Sequence, residues 1–381
     1  MNREVVLHKY NSLFEGIPII IKSPGRINLI GEHTDYNMGF VMPAATDKAI
    51  YIAIGKNNIG KIRLHAINLE DTVEVNALNF EKSDKSWANY LLGAAHQLQK
   101  KHSMQGFDCV FGGDIPLGAG MSSSSALACG TAFSLNKLFN LSLSKRDLVE
   151  LCHRVEVEYI GVNGGIMDQF AIIFGKENQV IKLDCRSLEV EYYEANLNDY
   201  EFILFDTQVS HNLVATEYNK RRAECDEGVG VISRQYPTVK SLRDCSLEIL
   251  GNYKGNLNDI VYKRCEYVIQ ENQRVLGAAE DFQNNDLKAF GQKMFASHDG
   301  LKNKYEVSCP ELDFLVKIVK DDDGVLGARM MGGGFGGCTI NLVKSENIEV
   351  LIASTQNAYK QKFGITLKAY QANISEGISV L

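Results

Sequence analysis

Residues 24–36 read PGRINLIGEHTDY and concentrate reactive side chains in a short span. Arg26, Glu32, His33 and Asp35 flank a mostly apolar run at 27–30. If 26–30 is a strand, the polar cluster follows at its end. Carboxylates beside an imidazole suit vicinal hydroxyls, because each carboxylate accepts from several O–H donors. The spacing is too tight for an obvious metal site on a strand or helix, and in isolation the same residues read as a solvated turn. A second signal is GGDIPLGAGMSSSSAL at 112–127. Gly118 and Gly120 permit torsions that other residues resist, and the serines lead into a helix. The first amides of a helix lack intrahelical partners and sit at the positive end of its dipole, so they can hold a phosphate. An ordinary glycine turn before a capped helix has the same look. No Gly-Lys-Ser/Thr follows, so this is not a Walker A loop.

Two more glycine loops complete the set. GGGFGG at 332–337 matches GxGxxG through Gly332, Gly334 and Gly337. A dinucleotide fingerprint needs a helix next. Residues 338–343 alternate like a strand instead, so the better reading is a hairpin packed on another backbone. GVNGGIMDQ at 161–169 sets Asp168 just after a glycine pair. A lone Asp there is usually a cap or turn residue.

The elements that must position these loops are mixed. Strands are expected at 17–22, 48–54, 61–66, 107–111, 180–183, 189–193 and 202–205. Helices are expected at 87–100 and at 122–139, the latter small and apolar nearly all round, as in a buried helix. Ser144 with Asp147 starts another helix in the manner of a capping box. Its Leu148, Leu151, Cys152, Val155 and Tyr159 share one face, and Glu156 and Glu158 flank that face on opposite edges. Helical spacing alone chooses neither glutamate. The second half is helix-rich, at 213–232, 259–283, 286–301, 311–320 and 348–363, with strands at 326–331, 338–343 and 366–370. There is no regular βαβ alternation, so the class is α+β. At 381 residues the chain suits two domains, divided here as 1–200 and 201–381.

Composition removes several function classes. The net charge of −7 and the absence of a dense Lys/Arg run argue against nucleic acid as a partner. Residues 1–14 carry charges throughout and have no apolar core of a signal peptide, and no segment is apolar for long enough to span a bilayer. The nine cysteines include no CxxC pair, which fits buried thiols in a reducing, cytoplasmic compartment better than zinc or disulfides.

Taken together and in order, GRINLIGEHTDY, PLGAGMSSSSAL, GIMDQ and GGGFGG resemble the galactokinases of the GHMP kinase superfamily. Residues 87–90 (WANY) and 218–222 (YNKRR) are similar to galactokinase segments too. The resemblance covers essentially the whole chain. It implies an N-terminal domain like domain 2 of ribosomal protein S5, a C-terminal ferredoxin-like domain and a site between them. It further implies ATP-dependent phosphorylation of galactose at its C1 hydroxyl, the opening step of the Leloir route, by a cytoplasmic monomer. Glu32, His33, Thr34 and Asp35 would bind galactose, with Gly165, Asp168 and Tyr218 also lining the sugar. Gly118, Ala119, Gly120, Met121, Ser122, Ser123 and Ser124 would cradle the ATP phosphates, and Trp87 would lie near adenine. Ser124 and Glu156 would hold Mg²⁺; the resemblance selects Glu156 over Glu158 by its distance ahead of Asp168. Asp168 would act as base and Arg26 would offset phosphate charge. Two positions depart from the family: Gly164, where a larger residue is usual, and Ser125, where alanine is usual. A kinase for another sugar and a catalytically dead sugar-binding regulator share the motifs, but the regulator fits less well with Arg26, Asp168 and the serine loop all present.

Overall fold

The computed structural model describes residues 1–116, 118–162, 164–210 and 214–381, with the backbone only at 210 and 214–216. The first half runs α1 (Arg3–Leu13), β1 (Ile19–Asn28), β2 (Phe40–Val41), β3 (Pro43–Lys56), β4 (Lys61–Ala66), β5 (Asp71–Asn76), α2 (Ala88–Gln99), β6 (Phe107–Gly113), α3 (Ser123–Leu138), α4 (Lys145–Arg154), α5 (Met167–Phe174), β7 (Gln179–Asp184) and β8 (Val190–Glu194). The second half runs β9 (Tyr200–Ser210), α6 (Val214–Ile232), α7 (Leu247–Gly251), α8 (Asp259–Gln283), α9 (Leu287–Gly300), α10 (Pro310–Lys320), β10 (Val325–Met331), β11 (Gly336–Lys344), α11 (Ile348–Phe363), β12 (Lys368–Ala372) and β13 (Ser379–Val380). Position 213, expected to open a helix, lies outside the described residues.

Three sheets organise these elements. A six-stranded sheet has the order β13-β1-β3-β6-β4-β5, a four-stranded sheet β10-β11-β9-β12 and a small one β2-β7-β8. α3 packs on β1 and β3. It is buried along most of its length, and its hydroxyls are satisfied locally: Thr131 donates to Leu127 O and Ser134 to Gly130 O. Gly130 must lack a side chain, since a Cβ would come within 2.6 Å of Ile52. The capping box at Ser144 and Asp147 is present, and all five apolar residues of the expected face are buried.

Several elements differ from the sequence reading. β1 continues through Pro24 to Asn28 because a bulge between Pro24 and Arg26 spares the ladder the missing amide. α1, β2, β5, α5, α7 and β13 were not foreseen. Of these, β13 matters most for topology. The chain end crosses back and pairs Val380 with Ile21 on β1. The largest apolar core likewise joins the sheets, running from Ile27 and Leu29 to Val275, Phe290, Met331 and Ile340.

Candidate active site

Ser122 adopts a left-handed conformation (φ 57°) and makes no side-chain cap to α3. The first amides of this 16-residue helix are therefore left for a ligand. Opposite lies the 332–337 loop, which joins antiparallel β10 and β11 as the expected hairpin. Bareness lets the two loops touch: a Cβ on Gly120 would be 3.2 Å from Met331 O, and one on Gly332 would be 3.7 Å from Gly120 Cα. Between them is a cavity of about 470 Å³ lined by Gly118, Gly120, Met121 and Ser122 to Ser125 on one side and residues 331–337 on the other. Ala119 is wholly buried behind its wall.

Arg26, Glu156 and Asp168 border this cavity and also a second one of about 410 Å³. Asp168 lies in the first turn of α5. Its Oδ1 accepts from Arg26 Nε at 2.7 Å, and its Oδ2 accepts from the Ser122 hydroxyl. Arg26 also donates to Gly120 O. Burial opposes the Arg26 charge, but the Asp168 and Glu32 carboxylates outweigh it and hold the guanidinium pKa above its ordinary value. Glu156 sits on a π-helical turn, Val155–Ile160, that continues α4; such turns are frequent at functional sites. The turn resolves the pair of glutamates. Glu156 faces both cavities, whereas Glu158 is bound to Lys100 and Gln97 at the surface. Burial, with the Asp168 charge beside it, raises the Glu156 carboxyl to about 7.

The second cavity has the polar wall expected of a hydroxyl-binding pocket: Glu32, His33, Asp35, Gly165 and Tyr218 all line it. Asp35 and Gly165 meet so closely that a Cβ on Gly165 would fall 1.8 Å from Asp35 Oδ2. Burial first, then the charges of Asp168 and Glu32, push the Asp35 carboxyl up to about 7. Burial lowers the His33 imidazole to about 3, so it is neutral. Its Nε2–H then donates to Gly333 O (3.2 Å), and its Nδ1 accepts from Tyr36 (2.7 Å). Tyr36 is 2.8 Å from the Tyr305 hydroxyl. Both His33 nitrogens are thus engaged within the protein. Thr34 is wholly buried outside the cavity wall, its hydroxyl spanning Gly31 O and Phe40 O.

A third cavity, of about 330 Å³, adjoins the first through Tyr90, Ser123 and Ser124. Trp87, Phe111, Ile115 and Leu127 make it apolar. Trp87 is fixed there by its indole N–H, which donates to Asp71 at 3.0 Å. The three cavities form one cleft, apolar at one end, rich in backbone amides in the middle and carboxylate-lined at the other.

Sequence reasoning missed Arg329. It is fully buried on β10 and donates to Leu29 O, Asn28 O, Met330 O and Glu32 Oε1. The same Glu32 oxygen accepts from Gly332 N at 2.8 Å. Arg329 therefore sets both a pocket carboxylate and the glycine hairpin. A lone arginine in an apolar strand carries no motif, so nothing in the sequence announced it.

For a divalent cation, the fit is indirect. Among the described residues no group of three or more His, Cys, Asp or Glu side chains could hold a metal ion. Mg²⁺ takes one or two carboxylates and completes its shell with water and phosphate oxygens. Glu156, a carboxylate beside free helix amides and the hydroxyls of Ser122 to Ser124, suits that mode.

Comparison with known proteins agrees with this geometry. Residues 89–176 match the GHMP kinases N terminal domain, and residues 278–360 match the GHMP kinases C terminal family. The Methanococcus jannaschii mevalonate kinase shares the fold with a TM-score of 0.66 at 19% identity, over 95% of this chain and 100% of that one. Fold and site thus define a GHMP kinase. Residues 8–56 match the galactokinase galactose-binding signature. Galactokinases of Thermotoga neapolitana and Clostridium acetobutylicum are 39% and 38% identical, over 94% and 93% of this chain and 99% and 92% of theirs. A crystal structure of Lactococcus lactis galactokinase complexed with galactose superposes with a TM-score of 0.94 at 35% identity, covering 99% of both chains. The chain belongs to the galactokinase family.

Proposed function

We propose that this protein transfers the γ-phosphate of ATP to the C1 hydroxyl of galactose, yielding galactose 1-phosphate and ADP. The observation that carries this reading is the position of Arg26, Glu156 and Asp168, which border both the amide-rich cavity and the carboxylate-lined one. Phosphoryl transfer asks for in-line positioning and charge neutralisation more than for covalent help from the protein. The α3 N-terminus and residues 118–124 hold the phosphates. Trp87 and its apolar cavity receive the adenine. Arg26, always cationic, offsets charge on the transferring group. Glu32, Asp35 and Tyr218 hold sugar hydroxyls, while His33 and Thr34 shape the loop that carries them. Asp168 orients the C1 hydroxyl and takes its proton as the oxygen–phosphorus bond forms and the bond to the ADP oxygen breaks. Ser124 and Glu156 would hold Mg²⁺, which when bound neutralises phosphate charge.

A site built to hydrogen-bond a hydroxyl rejects an analogue that misplaces it. Asp35 and its neighbours thus favour galactose over glucose at C4. The division at about residue 200, a monomeric state and a cytoplasmic location belong to the same proposal. Nine free, buried thiols are in keeping with a reducing compartment. Among the described residues no helix is long and apolar enough to cross a membrane.

Asp168→Asn tests the mechanism. A positioned base typically contributes roughly 10²–10⁴-fold in rate. The variant should lose about that much kcat while galactose binding, measured by calorimetry without ATP, stays close to that of the unchanged protein. Near-normal turnover would remove Asp168 from the chemistry.

A further inference from the structure

Ser125 has no part in the reading above, and alanine is usual at this position in the family that the motifs resemble. It is the third residue of α3 and only 4% exposed. Its Oγ stands 2.5 Å from Glu156 Oε1 and 3.5 Å from Asp168 Oδ2. A hydroxyl carries one proton and donates to one acceptor. The distances assign that proton to Glu156. Asp168 is served otherwise, by Arg26 on Oδ1 and by Ser122 on Oδ2.

The consequence is geometric. A carboxylate tethered through one oxygen cannot turn freely about its terminal bond. With Oε1 held by Ser125, Oε2 is directed towards Gly164, whose missing Cβ would sit 3.8 Å from it. Both Glu156 and Gly164 line the carboxylate-rich cavity. With no side chain at Gly164, that residue does not cover this oxygen. Ser125 and Gly164 therefore act on the same carboxylate, one holding an oxygen and the other leaving space before its partner.

We propose that Ser125 is a positioning residue for the divalent cation, tethering Glu156 so that its second carboxylate oxygen is presented to the metal–nucleotide complex. This rests on the galactokinase reading of the cleft. Hydrogen bonds that orient a ligating carboxylate typically govern metal affinity by about 10–100-fold when removed. An alanine at this position would have nothing to donate, so the tether depends on the Ser125 hydroxyl.

The test uses Ser125→Ala, which removes one oxygen and adds no bulk. Mn²⁺ serves as the probe, its binding to the protein–ADP complex followed by electron paramagnetic resonance. The variant should bind Mn²⁺ roughly 10-fold more weakly. ADP binding without divalent metal and galactose binding should be unchanged, and kcat should recover at saturating Mg²⁺. Unchanged Mn²⁺ affinity would overturn the proposal. So would a parallel loss of Mn²⁺, ADP and galactose binding, which marks a merely structural serine. Failure of the unsubstituted protein to phosphorylate galactose would instead overturn the reading of the cleft itself.

Discussion

Asp35 illustrates how a single residue is set against its own stability. Its carboxyl sits half-buried at the cavity wall near other acids, and desolvation with their charges raises it to about 7 from an ordinary 3.8. In the unfolded chain it ionises near 3.8, so between pH 4 and 7 the folded state binds more protons. Stability from this group therefore falls as pH rises through that window and stays low above it. Asp35→Asn should raise the melting temperature of the free protein at pH 8, and the gain should vanish near pH 4. The same variant should raise the galactose KM steeply, since an amide accepts fewer hydroxyl protons. Thermal melts at the two pH values and a KM measurement check both halves; an unchanged KM would place the sugar elsewhere. At this scale much was legible. Arg26, Glu32 and Asp35 stood out by residue type and spacing, although in isolation they also read as a solvated turn. Asp168 alone read as a cap or turn residue, and only the resemblance gave it a role. Glu156 was not separable from Glu158 by helical periodicity, because the π turn that orients Glu156 departs from the regular period. Arg329 was invisible, since its four partners lie in distant or backbone groups that no spacing rule relates.

Among the elements, the hairpin between β10 and β11 does more than close a sheet. Phe335 N donates to Val307 O, Gly332 N donates to Glu32 and His33 donates to Gly333 O, so the loop is tied to both halves of the cleft. Arg329, just before it, bonds Asn28 O at the end of β1 and Leu29 O just beyond it. Breaking a buried ion pair by removing one partner typically costs about 3–5 kcal/mol. Arg329→Met should destabilise the fold by about that much in denaturant titrations. In whatever fraction remains folded, the galactose KM should suffer more than the ATP KM, because Glu32 lies on the carboxylate-lined side. A change under 1 kcal/mol would mean that the pair is dispensable. The hairpin itself was readable from the alternating residues after Gly337, whereas α5 was not. Its MDQFAIIF is short and apolar, and the glycines before it looked like the whole of the feature. The strand expected at 17–22 and the conditional one at 26–30 turn out to be parts of a single β1, joined across Pro24 by the bulge.

On the scale of the molecule, two sheets and their helices enclose one cleft, and a chain end that returns to β1 fastens the second half to the first. A two-residue strand has no periodicity, so this crossing could not be read in advance. The cleft could be foreseen only through the order of its motifs, which lie up to 300 residues apart in sequence yet meet within a hydrogen bond, as His33 and Gly333 do. The apolar end, the amide-rich centre and the carboxylate-lined end fit a nucleotide base, its phosphates and a sugar in that order. The most direct measurement is ADP release from Mg-ATP with galactose, glucose, N-acetylgalactosamine, arabinose and talose, with the phosphorylated carbon assigned by nuclear magnetic resonance. Fast turnover with galactose, phosphate on C1 and little turnover with glucose is the predicted result. No turnover of galactose by protein shown to bind ATP would contradict the account.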